Sequence, residues 1–172
     1  MSDLLSLANL QEPQLEWRQP ALGRKFELTG AEGTYGRLEL KKLDGSLGRG
    51  TTARAAFTFE RQGLLKSHIN VRFADSDQMF AVYGPNFTGK KGQLRYQSGQ
   101  QLEFQTTNFF ETEWQWLTPE GQGLIGFQKK QAGKPRAAVF LGDDAFHRVD
   151  LDLLLLLGFY LLLLPPTEAT GQ

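Results

Sequence analysis

A chain of 172 residues, 40% of them apolar and 22% charged, is long enough to build one real core and too apolar for disorder to be its main state. Lysine plus arginine balances aspartate plus glutamate at 19 each, which argues against nucleic acid as the main partner, because duplex binding shows as a basic excess. The absence of cysteine excludes disulfides, thiolate metal sites and cysteine nucleophiles.

In chain order, residues 1–14 predict a short amphipathic or frayed lead-in, with Ser2 and Asp3 as caps and Pro13 as its stop. The first ten residues carry an early acid and no basic stretch. They do not read as a secretory signal, so a cytoplasmic location is expected.

From about Leu15 to Leu141 the apolar residues recur with period two. Leu38 and Leu40 alternate with Arg37 and Glu39; Ala53, Ala55, Phe57 and Phe59 with Arg54, Thr58 and Glu60; Ile69, Val71 and Phe73 with His68, Asn70 and Arg72. The rhythm continues at Phe80/Val82, Leu94/Tyr96, Leu102/Phe104, Trp114/Trp116, Ile125/Phe127 and Ala137/Val139. Such alternation gives each strand one buried and one wet face. The spacers are turn-formers: Asp44-Gly45, Gly48–Gly50, Gly84-Pro85-Asn86, Ser98-Gly99, Pro119–Gly121 and Gly133–Pro135. Roughly ten or eleven antiparallel strands follow, making a sandwich or barrel.

The composition then changes. From Leu153 to Leu164 every residue is apolar, glycine or tyrosine, and Pro165-Pro166 opens a polar tail to Gln172. Leucine favours helix, Asp150 or Asp152 can cap it, and the prolines stop it, so a central helix is expected over 151–164. A helix without a polar face must be buried all round. Twelve residues span roughly 18 Å, against the ~30 Å of a bilayer core, so no transmembrane span is expected. The interior of a curved sheet is the better burial site, with a tail anchor or a partner subunit as the alternatives.

This plan resembles the tubby C-terminal-like superfamily, which includes tubby, the phospholipid scramblases, the plant LURP-one proteins and small prokaryotic relatives. Trp17, the run Asn108-Phe-Phe-Glu-Thr-Glu-Trp-Gln-Trp116 and the ending Leu153–Leu164 carry the likeness. It implies a closed antiparallel barrel of about twelve strands enclosing the hydrophobic C-terminal helix, in one domain over 15–164. Tubby binds phosphoinositides, and scramblases are tied to lipid and calcium. No calcium-loop pattern stands here, and tubby's basic lipid-binding residues have no placed counterparts, so the resemblance does not carry those functions over.

The chemistry-bearing motifs are thin. Gly84-Pro-Asn-Phe-Thr-Gly-Lys90-Lys91 nearly matches a phosphate-binding loop, but Lys91 stands where serine or threonine would hold magnesium, and the flanks read as strands. Asn86-Phe87-Thr88 is an incidental glycosylation pattern. Asp75-Ser76-Asp77 starts like a calcium loop yet lacks its glycine and final acid. Ser67 and His68 are strand neighbours facing opposite ways, and His147 sits among Asp143, Asp144 and Asp150 as a solvated residue. No catalytic residue, metal ligand or cofactor is expected.

Two features suggest binding. Trp114 and Trp116 share a strand face, as core or as a stacking wall. Lys90, Lys91, Lys129, Lys130 and Lys134, with Lys41-Lys42, would contact anionic lipid headgroups if they converged on one rim. The chain therefore reads as a non-enzymatic soluble barrel, monomeric or weakly dimeric, that binds a lipid or a protein partner. The alternative reading is a membrane-associated protein that uses its basic loops or its leucine helix.

Overall fold

The computed structural model describes residues 3–63, 67–86, 88–108, 110–130 and 133–164. The tail over 165–172 and the expected cap Ser2 lie outside them, as does Phe87 of the glycosylation pattern. The strands are β1 (Gln14–Arg18), β2 (Lys25–Gly30), β3 (Gly33–Leu40), β4 (Leu47–Thr52), β5 (Ala56–Gln62), β6 (His68–Phe73), β7 (Met79–Pro85), β8 (Lys91–Tyr96), β9 (Gln101–Thr106), β10 (Glu113–Leu117), β11 (Gly123–Lys130) and β12 (Arg136–Leu141). Each pairs antiparallel with its neighbours in the chain, and β1 closes the ring on β12, with Leu15 opposite Val139 and Trp17 opposite Ala137. The result is a closed barrel of twelve strands. Closure leaves no unpaired edge to recruit other chains.

The helix α1 (Leu151–Leu163) runs inside the barrel. Its residues from Leu151 to Tyr160 are all buried. Phe159 stacks flat on Trp17 with ring centroids 4.8 Å apart and meets Phe26 edge-on at 5.4 Å, while Tyr160 packs on Phe59 at 5.2 Å. Trp116 donates its indole N–H to the Leu154 carbonyl at 2.9 Å, which ties β10 to the helix backbone. The Trp17 indole nitrogen is buried with no partner among the described residues.

The helix fits because glycine makes room for it on two sides. A Cβ on Gly158 would stand 2.4 Å from the Phe127 ring and 3.0 Å from the Trp116 indole nitrogen, so the aromatic approach requires glycine there. On the opposite flank, a Cβ on Gly48 would stand 2.8 Å from the Tyr160 ring, and one on Gly50 3.0 Å from Leu156.

Several expectations need correction. Gly48–Gly50 is not a turn but the middle of β4, whose inner face is glycine because the helix presses against it. Ala53 and Ala55 lie in the turn before β5. On β7 the buried residues are Ala81 and Tyr83, not Phe80 and Val82: Ala81 and Tyr83 pair with the buried Val71 and Ile69 of β6, and Val82 with Asn70. Phe73 is exposed, stacking on Phe80 with centroids 4.5 Å apart. Residues 3–13 are packed rather than frayed: Leu4, Leu7 and Leu10 are buried and the Leu5 N–H donates to Thr34 O at 2.8 Å. Asp3 caps nothing; it forms a bidentate pair with Arg37, both contacts at 2.8 Å. Asp150 holds the N-cap position of α1, but its side chain makes no cap bond there. It accepts instead from the Tyr96 hydroxyl at 2.5 Å and from Arg148.

Candidate functional site: the open mouth of the barrel

In a closed antiparallel barrel, successive hairpins alternate between two ends. The loops after β1, β3, β5, β7, β9 and β11 therefore share one end, and the segment that enters α1 belongs to the other. The C-terminus of α1 emerges at the first end, where the Tyr160 hydroxyl donates to Gly45 O at 2.6 Å.

The two ends differ in charge. Loops at the helix C-terminal end carry Arg24, Lys41, Lys42, Lys90 and Lys134 against Asp44 and Glu111. Those at the opposite end carry Glu32, Asp75, Asp77, Glu120, Asp143, Asp144 and Asp150 against Arg54 and Arg148. Lys91, Lys129 and Lys130 sit on strand ends of the basic side, so the five lysines singled out by sequence, and the Lys41-Lys42 pair, stand around one rim. The net charge of zero hides a polarised molecule.

The same rim displays apolar side chains. Leu22 is 87% exposed, Leu43 91% and Phe110 76%, in three different loops of this end. Isolated exposed apolar residues need no explanation, but three beside lysines on one rim form a pattern.

Inside the rim lies a cleft of about 460 Å³. Tyr83, Phe104, Trp114, Ile69 and Leu162 line it, and Arg61, Lys129 and Glu111 stand at its edge. Period two explains the cations: Arg61 follows Phe57 and Phe59 on the inner face of β5, and Lys129 follows Ile125 and Phe127 on that of β11. Their cross-strand partners are the buried Ile69 and Ala137. Neither cation forms an ion pair among the described residues, and no hydrogen bond joins either side chain to a carbonyl of α1. Burial pushes the Tyr83 phenol well above its ordinary pKa, so it stays protonated.

The two tryptophans part company here. Trp116 is core, whereas Trp114 is half-buried, stacks on Phe104 with centroids 5.3 Å apart, and donates its indole N–H to Glu111 O at 3.0 Å. Glu111 itself has the positive φ of 56° that few residues other than glycine adopt, which marks a tightly built loop.

The other motifs resolve into structure. Gly84–Lys91 is the β7–β8 hairpin, organised by Asn86, whose side-chain oxygen accepts from Thr88 Oγ1 at 3.1 Å and from the Lys91 N–H at 3.3 Å. No helix follows it, so no helix N-terminus waits for a phosphate. Asp75-Ser76-Asp77 is a turn in which Ser76 Oγ accepts from the Gln78 N–H at 2.9 Å. His68 is half-buried on β6 and His147 is exposed in a 3-10 turn, near opposite ends of the molecule. Among the described residues no group of three or more histidines and acids could hold a metal ion.

Arg61, Leu22 and Leu43 escaped the sequence reading. The available signal for Arg61 was a cation that keeps the inward register of a strand; Leu22 and Leu43 had none beyond their place in turns. Comparison with family models, curated proteins and solved structures yields no match for this chain.

Proposed function

We propose that this chain is a non-catalytic binding module of tubby-like plan that lays its open mouth on an anionic membrane surface, at the cytoplasmic face. The observation that carries the reading is the meeting, on one rim, of exposed Leu22, Leu43 and Phe110 with the lysine pairs of the β3–β4, β7–β8 and β11–β12 hairpins. A basic residue near anionic lipid contributes ~1 kcal/mol, so a handful of lysines gives appreciable affinity without any pocket. Loop leucines that enter the interface add up to ~1.5–3 kcal/mol each. Contact is peripheral in this reading: among the described residues no helix is long and apolar enough to cross a membrane, and α1 is already enclosed by strands.

The test is sedimentation with vesicles. The chain should pellet with vesicles containing phosphatidylserine, weakly with pure phosphatidylcholine, and less as salt rises. The double variant L22D/L43D should lose at least tenfold in affinity, and so should Lys90, Lys91 and Lys134 changed together to glutamine. A chain that stays in the supernatant at low salt would overturn the reading and leave a protein partner as the better one.

A further inference from the structure

We infer that the mouth cleft is a binding site for a single-chain anionic amphiphile, its head held by Arg61 and Lys129 and its chain laid on Tyr83, Phe104 and Trp114. The inference deepens the membrane reading and rests on it for one thing, the source of the lipid.

Three observations converge. The inner face of the barrel is apolar rung after rung until its last inward positions on β5 and β11, where it becomes Arg61 and Lys129. Arg61 is half-buried and Lys129 exposed, so both cations stand where the open mouth keeps them in reach of water or an anion. Both cations share the cleft lining with Leu161, Leu162 and Leu164 at the C-terminus of α1, whose partial negative charge favours them, yet neither forms an ion pair among the described residues. Their donors remain available to a ligand.

The second observation is the wall. Tyr83, Phe104 and Trp114 are interlocked aromatics: Phe104 stacks on Trp114 and meets Tyr83 edge-on at 6.5 Å. Tyr83 is almost wholly buried and lines the cleft, its hydroxyl packed against Gly92 of β8. The third is size. The cleft's 460 Å³ lies toward the low end of ligand sites, which run from about 300 to 1,000 Å³, so it suits one acyl chain rather than two. Apolar walls beneath unpaired cations match a long-chain carboxylate or a lysophospholipid with a phosphate head; a bare phosphate would leave the walls unused. Glu111, exposed at the opening, opposes the ligand's charge and sets a limit on affinity.

The experiment uses the full chain with a bromine-labelled stearate below its micelle concentration. Bromine quenches tryptophan at contact, and Trp17 and Trp116 are sealed in the core, so saturable quenching that disappears in Trp114→Phe places the chain in this cleft. Calorimetry with unlabelled stearate should show binding still saturable but weakened in Trp114→Phe, which keeps a ring on the wall, and weakened at least tenfold in the double variant R61Q/K129Q. Affinity should rise two- to fivefold in Glu111→Gln. Monoolein should bind at least tenfold more weakly than stearate, and inorganic phosphate should not compete. Lysophosphatidate beside stearate tells the phosphate head from the carboxylate, and tighter binding of either supports the site.

Absence of quenching, equal affinity for monoolein, or undiminished binding by R61Q/K129Q would each overturn the inference. If the two cations serve only the helix terminus, R61Q/K129Q will melt earlier while binding stearate as the parent does, which also overturns it. The double variant L22D/L43D separates the two readings. It should lose vesicles and keep stearate. A parent chain that pellets with vesicles but ignores stearate sinks the cleft alone, and one that binds stearate in solution but no vesicle sinks the rim alone.

Discussion

The two ends of the barrel solve the same problem in opposite ways. At the helix N-terminal end, the two acids that open α1 are neutralised within the chain. Asp152 is buried, accepts from Thr52 Oγ1 at 2.5 Å and pairs with the Arg54 guanidinium, which holds the arginine's pKa above its ordinary value. Asp150 is clasped by Arg148 at 2.8 Å and by Tyr96, whose phenol is pushed up by burial and then by the neighbouring carboxylate. Both acids also sit where the helix dipole favours them. At the C-terminal end, cations again sit where the dipole favours them, but neither Arg61 nor Lys129 forms an ion pair among the described residues; Asp44 feels the Arg61 charge without bonding it. The acids at the start of α1 are ion-paired, and the two cations beside its end are not.

The two ends share one axis, so the largest effect comes from breaking it. Leu156→Asp buries a charge with no partner against Gly50 and the barrel wall, a cost of several kcal/mol that approaches the whole stability of a typical domain. The amide spectrum should collapse toward poor dispersion. Truncation after Asp150 should do the same, and a sharp, well-dispersed spectrum from that truncated chain would show that the strands stand without the helix.

Next in size is Gly158→Ala. The added methyl meets the Phe127 ring at 2.4 Å, so overpacking should cost about 1–3 kcal/mol in urea unfolding, even though alanine is the better helix former. A gain in stability would mean that the aromatic wall yields freely.

The comparison itself is sharpened by paired substitutions at the two ends. Asp152→Ala strands the buried Thr52 hydroxyl and frees a guanidinium whose side chain is 46% exposed; that exposure limits the ion pair, and the total loss should be about 1–3 kcal/mol. Lys129→Gln at the open end should change the urea midpoint by less than the equivalent of about 0.5 kcal/mol. Equal losses would erase the distinction between a structural end and a receiving one.

The smallest expected effect is a pH dependence. Arg37 beside Asp3 holds the Asp3 carboxyl near 2, well below its ordinary 3.8. Because the folded value lies below the unfolded one, the contribution is present above about pH 4 and is lost as pH falls toward 2. Exchange of the Leu5 amide, bonded to Thr34 O, should quicken over that window before the barrel unfolds. In Asp3→Asn it should already be fast at neutral pH.

The strands and the helix were legible because burial leaves a period in the chain. Leu102/Phe104, Ile125/Phe127 and Ala137/Val139 face inward as their alternation requires. β4 was not legible: its inner face is Gly48 and Gly50, and glycine records the closeness of Tyr160 and Leu156, more than a hundred residues away in the chain, rather than any local preference. That omission bears on the site. Hairpins alternate ends, so one uncounted strand moves every later loop to the wrong rim. The lysine pairs were visible as residues, but their convergence depends on a strand count that sequence period alone did not supply. The face of β7 was misread because the bulkier Phe80 and Val82 share one phase while Ala81 and Tyr83, the pair opposite the buried Val71 and Ile69, hold the other.

The order of the elements has a consequence for how the chain comes into being. Closure pairs β1 with β12, and the core helix follows β12, so the first strands to leave a ribosome find neither their closing edge nor the apolar plug that fills them until almost the whole domain has been made. Until then Trp17, Phe26 and Phe59 face an empty interior, and two strand edges stand open to other chains. Such a chain completes its fold late, through contacts of long sequence separation, and folds slowly for its size. In refolding, dilute solution should favour it strongly, with yield falling steeply as concentration rises.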